Sequence, residues 1–228
     1  MRRIVCLTGA GMSAESGIST FRDNGGLWDQ YRVEDVATPE GWERNPRLVT
    51  DFYNGQREKL LLVKPNPGHL GLARLEEKYE VHIITQNIDD LHERAGSSHV
   101  VHLHGELTKM RGCVHEDYVV SLQPGQYHQS YGQKTPYGDL LRPHIVWFGE
   151  AVPMIETAIE LTQRADIYVV IGSSLQVYPA AGLLHYLPMG VPLYVIDPKE
   201  VPLPSRPEVC FLQKTATEGV EEILKILM

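Results

Sequence analysis

The sequence predicts an α/β protein with a doubly wound parallel sheet and a small inserted lobe, and three observations carry that expectation. Short, nearly uninterrupted apolar runs recur at Ile4 to Thr8, Val81 to Thr85, Val100 to Leu103, Ile145 to Phe148, Ile167 to Ile171 and Leu193 to Ile196. A strand buried on both faces needs such a run, whereas a half-solvated strand alternates apolar with polar residues. Helical stretches intervene, His69 to Lys78 before the second run and Ile155 to Arg164 before the fifth, which is the rhythm of a parallel sheet covered on both sides. Two segments break that rhythm: 31–63, helical around Pro39 and from Pro46 to Leu62, and 107–139, polar, glycine-containing and tyrosine-rich. They are expected to form the small lobe, with 1–30, 64–106 and 140–228 forming the main one.

A chain of 228 residues, 43% hydrophobic and 22% charged, can bury a substantial interior and has the balance of a soluble globular protein. Its net charge of -8 and the lack of a Lys/Arg cluster argue against a nucleic-acid partner, because phosphate binding needs a positive field. A cationic, lysine-bearing partner suits it better. The opening MRRIVCLTGAG has too few apolar residues for a signal-peptide core, and no apolar run approaches the roughly 18 residues of a membrane helix. Cys6, Cys113 and Cys210 are far apart and odd in number, which points to reduced thiols and a cytoplasmic location.

The first run leads directly into Gly9-Ala10-Gly11-Met12-Ser13-Ala14, a GxGxxA pattern after a strand. Glycines there permit a tight turn and close backbone approach to a pyrophosphate, and a following helix adds its dipole; a glycine-rich turn without a ligand gives the same pattern. No acidic residue ends a second strand about 20 positions on, as a hydride-transferring enzyme would require, and Ser16 to Gly26 reads instead as a polar loop. The second run ends in Gln86-Asn87-Ile88-Asp89, which sets amide and carboxylate groups at the carboxyl edge where such sheets bind ligands, although the stretch also suits a helix cap. The third delivers His102-Leu103-His104-Gly105. Alternation puts both histidines on one face and does not choose between them, but His104 abuts the glycine nearest the edge, and an imidazole near its usual pKa of about 6.5 can take a ribose hydroxyl proton. Gly172-Ser173-Ser174 follows the fifth run and can cup a second part of a dinucleotide, or serve as an ordinary capped turn.

Taken together, GAGMSAESGISTFRD, TQNIDDLHERAG, HGEL, WFGE and GSSLQVYPAAGL resemble the motif set of sirtuins, NAD-dependent protein lysine deacylases with a Rossmann-like lobe, over nearly the whole chain from Thr8 to about Asp197. The resemblance implies an NAD pocket lined by Ala10, Arg22, Gln86, Asn87 and Asp89, to which the glycine and hydroxyl motifs add Gly9, Gly11, Ser13, Gly172, Ser173 and Ser174; Asp197 stands where sirtuins usually carry an asparagine near the adenosine and is expected still to accept ribose hydroxyl hydrogen bonds. It implies His104 as the base, and Phe148-Gly149-Glu150 with Val177-Tyr178 clamping an acyl-lysine peptide as an added strand. The implied reaction releases nicotinamide and free lysine and forms 2'-O-acyl-ADP-ribose, in a pocket between lobes that excludes water.

Two departures modify these expectations. VEDVATPEGW with DFYNGQREKL resembles the bacterial subgroup that removes succinyl and malonyl groups with a tyrosine and an arginine three residues later. Here Tyr53 is followed at that spacing by Gln56, which predicts comparable removal of acetyl, long neutral and succinyl groups; Arg57, one position on, either substitutes for the missing arginine or is a solvated helix residue. Most sirtuins also bind zinc with two CxxC pairs, but between Leu107 and Arg142 only Cys113 is present, and with His115, Asp117 and His128 it forms no familiar ligand spacing. No metal is expected. Four of the 11 tyrosines, Tyr118, Tyr127, Tyr131 and Tyr137, lie in this insertion, and their burial is the expected substitute. Mono-ADP-ribosyl transfer, or a non-catalytic NAD or ADP-ribose binding module, would fit the same pocket.

Overall fold

A computed structural model describes residues 1–19 and 31–228. Six strands, β1 (Arg3–Thr8), β2 (Glu80–Thr85), β3 (Val100–His102), β7 (Ile167–Ile171), β8 (Leu193–Ile196) and β9 (Val209–Leu212), form one parallel sheet in the order β3-β2-β1-β7-β8-β9. Successive side chains of β1 go to opposite faces. Ile4 and Cys6 join the core beneath helices α5 (Pro67–Leu75) and α8 (Ala216–Leu227), while Val5 and Leu7 join the core beneath α7 (Ile155–Gln163) and the 3-10 turn Ala180–Tyr186. Both faces are thus covered, which is why β1, β2, β7 and β8 read as unbroken apolar runs, whereas β9, a half-exposed edge strand, was not expected from the sequence. The Rossmann-like expectation holds, and β1 lies beside β7, where the order reverses, the point at whose carboxyl ends sheets of this kind bind ligands.

The run Ile145 to Phe148 does not enter this sheet. Residues Leu141–Ile145 (β6) pair antiparallel with β4 (Gly105–Gly112), which also pairs with β5 (Val119–Ser121), making a separate three-stranded sheet. The apolar content of this run is used in a different core, where Ile145 and Trp147 pack with Val36, Phe52, Tyr53 and Leu107. Helices α2 (Val33–Val36), α3 (Pro39–Arg44) and α4 (Pro46–Leu62) contribute to that core, as does Leu91. Thr38 and Asn45 cap α3 and α4, each with proline in the first turn, where the missing N–H costs nothing.

The tyrosines are not what holds the antiparallel sheet. Tyr118 and Tyr127 flank its small cluster of Met110, Leu122 and Leu141, but Tyr131 and Tyr137 are 48% and 67% exposed. A buried polar network connects it to α4 instead. Arg57 Nε donates to Leu107 O at 2.7 Å and its Nη1 to Asn54 Oδ1 at 2.9 Å; Asn54 and Gln129 exchange backbone and side-chain hydrogen bonds, and Gln129 Nε2 reaches Leu141 O at 2.8 Å. Asp139 closes the turn after Cys113, accepting from Val114 N, His115 N, His115 Nδ1 and Thr135 Oγ1, and these donors hold its carboxyl far below the usual range. Among the described residues no three His, Cys, Asp or Glu side chains converge as a metal site would require.

Candidate active site

The cleft is built first from backbone. Gly11 N donates to Gly172 O at 2.9 Å, so the loops after β1 and β7 touch main chain to main chain. A Cβ on Gly9 would sit 2.6 Å from Gly172 O, and Gly172 itself has φ +61° with Met12 N at 2.4 Å from any added Cβ. Contact between loops therefore requires these glycines. The helix behind them, α1 (Gly11–Ala14), is a single turn, and the N–H groups of Gly9, Gly11, Met12 and Ser13 are satisfied by Ile171, Gly172, Gly9 and Ala10 carbonyls. The full helix dipole expected behind the glycines is absent.

Around that junction lies a knot of buried polar side chains. Ser13 Oγ donates to Asp89 Oδ2 at 2.9 Å, and Asn87 Nδ2 donates to Gly9 O at 3.0 Å and to Ser13 Oγ at 3.1 Å. Asp89 Oδ1 accepts from Leu91 N. Burial pushes the Asp89 carboxyl up, against the pull of those donors. Gln86 Nε2 bridges to Ser173 Oγ at 2.8 Å across the cleft, whereas Ser174 is exposed. Asp197 follows β8, with Oδ1 accepting from Lys199 N at 2.9 Å. Arg22 lies outside the described residues.

The geometry separates the two histidines. His104 Nδ1 donates to Gln86 O at 2.9 Å; a carbonyl only accepts, so the proton is on Nδ1 and the lone pair on Nε2, which has no partner among the described residues. Burial lowers its pKa and the Gln86 bond opposes that, so the ring is a neutral base at pH 7. Gly105 makes the turn possible: its φ is +82°, and a Cβ there would lie 2.0 Å from His144 O. His102 has both nitrogens engaged, Nδ1 with Asn87 O at 3.1 Å and Nε2 with Glu93 at 2.8 Å.

With this geometry the comparisons agree. Residues 9–179 match the model described as "Sir2 family", three quarters of the chain. The chain belongs to the Sir2 family. It is 59% identical to an NAD-dependent protein deacylase of Bacteroides thetaiotaomicron over all of this chain and 99% of that protein, and 45% identical to one of Helicobacter pylori over 100% and 98%. A Sir2 homologue solved with NAD superposes with TM-score 0.87 at 37% identity, covering 99% of this chain and 89% of that one. A Sir2 complex with a p53 peptide and NAD+ gives 0.80 at 32%, covering 99% and 93%.

The residues expected on the substrate side of this Sir2 chain differ in exposure. Phe148 and Gly149 are exposed, Phe148 N donating to Ala37 O and Gly149 at φ +91°, and Tyr178 is 70% exposed beside half-buried Val177. Glu150 differs from its neighbours. Its carboxylate accepts from Arg142 at 2.6 and 3.0 Å, from Arg111 at 3.3 Å and from Trp147 N at 2.7 Å, so it holds the turn rather than offering itself to a peptide. Arg142 also lies over the Trp147 ring, 3.3 Å from its centroid. Tyr53 is buried, its hydroxyl accepting from Trp147 Nε1 at 3.1 Å, and burial raises its pKa. Gln56 is half-buried. Arg57 is neither solvated nor free to turn: it is fully buried, and desolvation pulls its pKa down to about 10. Sequence reasoning missed Arg111, Arg142 and Trp147 as supports of Glu150; Arg142 lies eight residues before it, and Arg111, on the neighbouring strand, comes near it only once β4 and β6 are paired.

Proposed function

We propose that this chain removes acyl groups from protein lysine side chains at the expense of NAD, giving nicotinamide, free lysine and 2'-O-acyl-ADP-ribose. The observation that carries the reading is His104, a neutral imidazole with its tautomer set by Gln86 O and Nε2 open at the carboxyl edge of a glycine-lined cleft. The donor set fits NAD: Asn87 Oδ1 is unpartnered among the described residues and not enclosed, and Gln86 and Ser173 bridge the same cleft. NAD, when bound, supplies the ribose carbon that accepts the acyl oxygen and the hydroxyl that ends up acylated. The chain's part is to hold that hydroxyl to His104 Nε2, to take its proton there and to exclude water between two lobes. We read 31–63 and 107–139 as the smaller lobe, supported by the core shared by Val36, Phe52, Tyr53, Leu107 and Trp147. We assign Phe148, Gly149, Val177 and Tyr178 to the peptide, Tyr53 and Gln56 to the acyl group, and Glu150 and Arg57 to support. Among the described residues no helix is long and apolar enough to cross a membrane, and with three unpaired cysteines we place the reaction in the cytoplasm.

His104→Ala tests this directly. Mass spectrometry of an acyl-peptide reaction should show 2'-O-acyl-ADP-ribose from the wild type and roughly a hundredfold to ten-thousandfold less from the variant, with NAD binding retained. ADP-ribose attached to protein would move the reading to a transferase, and NAD binding without turnover to a binding module.

A further inference from the structure

His102 and His104 leave the end of one strand and hold consecutive carbonyls of one loop, His104 at Gln86 O and His102 at Asn87 O. Their outer nitrogens differ in kind. His104 Nε2 faces no protein group among the described residues, whereas His102 Nε2 is 2.8 Å from Glu93 Oε1. A carbonyl oxygen and a carboxylate both accept only, so an imidazole bonded to both must carry a proton on each nitrogen. The two acceptors favour the doubly protonated, cationic form of His102, whose side chain is 8% exposed.

Its surroundings favour that state. Glu93 and His92 face it from α6 (Leu91–Ala95), Asp89 from the loop after β2, and Glu106 with its partner Lys109 from β4. Burial opposes the charge, but the Glu93 hydrogen bond and charge, then Glu106 and the Asn87 carbonyl, outweigh it and raise the pKa. His102 in turn steadies the charge of buried Asp89. Asn87, held through its carbonyl by His102, has both amide protons on Gly9 and Ser13, so its remaining oxygen is aimed by the whole set.

We propose that His102 is a positioning residue for the NAD reaction: a standing imidazolium that holds the Asn87 carbonyl, and with it the Asn87-Ile88 peptide, and balances Glu93 and Asp89, so that Asn87 presents its side-chain oxygen to the dinucleotide. This deepens the NAD reading and rests on it.

Direct NAD binding to the whole chain, by calorimetry from pH 7 to pH 10, tests it. His104 is already neutral throughout that range, so a loss of affinity on the alkaline side belongs elsewhere. The wild type should bind NAD less tightly as His102 loses its proton. Glu93→Gln should move that fall to lower pH, and His102→Gln should abolish it while weakening NAD about tenfold at pH 7. KM for the acyl peptide at saturating NAD should stay within about twofold in both, which a general loosening of the fold would not give. A flat wild-type profile, a Glu93→Gln profile that overlays the wild type, or an equal rise in peptide KM overturns the proposal. Should the wild type bind no NAD at any pH, the NAD reading itself fails, an outcome separable from these. If His102→Gln does not fold, the wild-type and Glu93→Gln profiles still decide.

Discussion

In the proposed reaction His104 is suited to act as the base because burial keeps its ring neutral and Gln86 O selects the tautomer. The base must be unprotonated to act, so kcat/KM falls as pH drops through its pKa; since burial lowers that pKa, the half-fall should lie below the usual 6.5, and a midpoint at or above 6.5 would refute the assignment. At the acyl end, Arg57 is spent on Leu107 O, Asn54 and Lys109 O, and swinging it toward Tyr53 would break all three bonds. Gln56 is left as the polar group one helical step from Tyr53, a neutral one. Acetyl and succinyl versions of one peptide should therefore react within about tenfold of each other in kcat/KM, and Gln56→Arg should raise the succinyl rate by about tenfold. A wild-type succinyl preference above roughly a hundredfold would sink this.

Helix α5 carries a less visible dependence. Asn66 caps it, accepting from Gly68 N and His69 N, and His69 Nδ1 accepts from Asn66 N in return, which makes a capping box with histidine at the third helical position. His69 is fully buried against the His92 ring, 4.8 Å between centroids, and desolvation holds its pKa near 4. The unfolded chain then binds more protons than the folded one between about 6.5 and about 4, so stability is complete above that window and falls as pH drops through it. His69→Gln can keep the capping bond without a titrating ring, and its acid-unfolding midpoint, followed by circular dichroism, should move to lower pH; a midpoint unchanged or higher would contradict the linkage. The capping role was not legible in NPGHL, where histidine stands for the usual Glu or Gln. Five of the six β-rich runs were legible as strands of the parallel sheet because burial leaves a nearly continuous apolar record; Ile145 to Phe148 was misplaced because its apolar residues serve a second core, and β9, a half-exposed edge strand, left no such record. His104 was favoured by its glycine, but the choice over His102 needed Glu93, nine residues away and on another element.

At the scale of the molecule, the question is what holds the antiparallel sheet, for which the sequence offered no familiar metal-ligand spacing. Sequence pointed to tyrosine, because four of them are visible in one short insertion; the buried network is invisible there because its members, Asn54, Arg57 and Gln129, are 75 residues apart from end to end. Arg57 is the hinge of that network, the only one of the three that reaches both α4 and β4 through its own side chain. It has no carboxylate partner among the described residues, so its charge is balanced by carbonyl dipoles of Leu107 and Lys109, and removing it leaves those oxygens buried without a donor. Arg57→Met should therefore cost about 3 kcal/mol, a fall of roughly 6 to 12 °C in Tm for a chain of this size. Excess chelator should leave the wild-type Tm unchanged, because no part of this network is a ligand set. The two measurements separate the alternatives: a chelator-sensitive wild type would show that a metal carries the sheet, and an Arg57→Met variant melting within about 1 °C of wild type would show that the polar network does not.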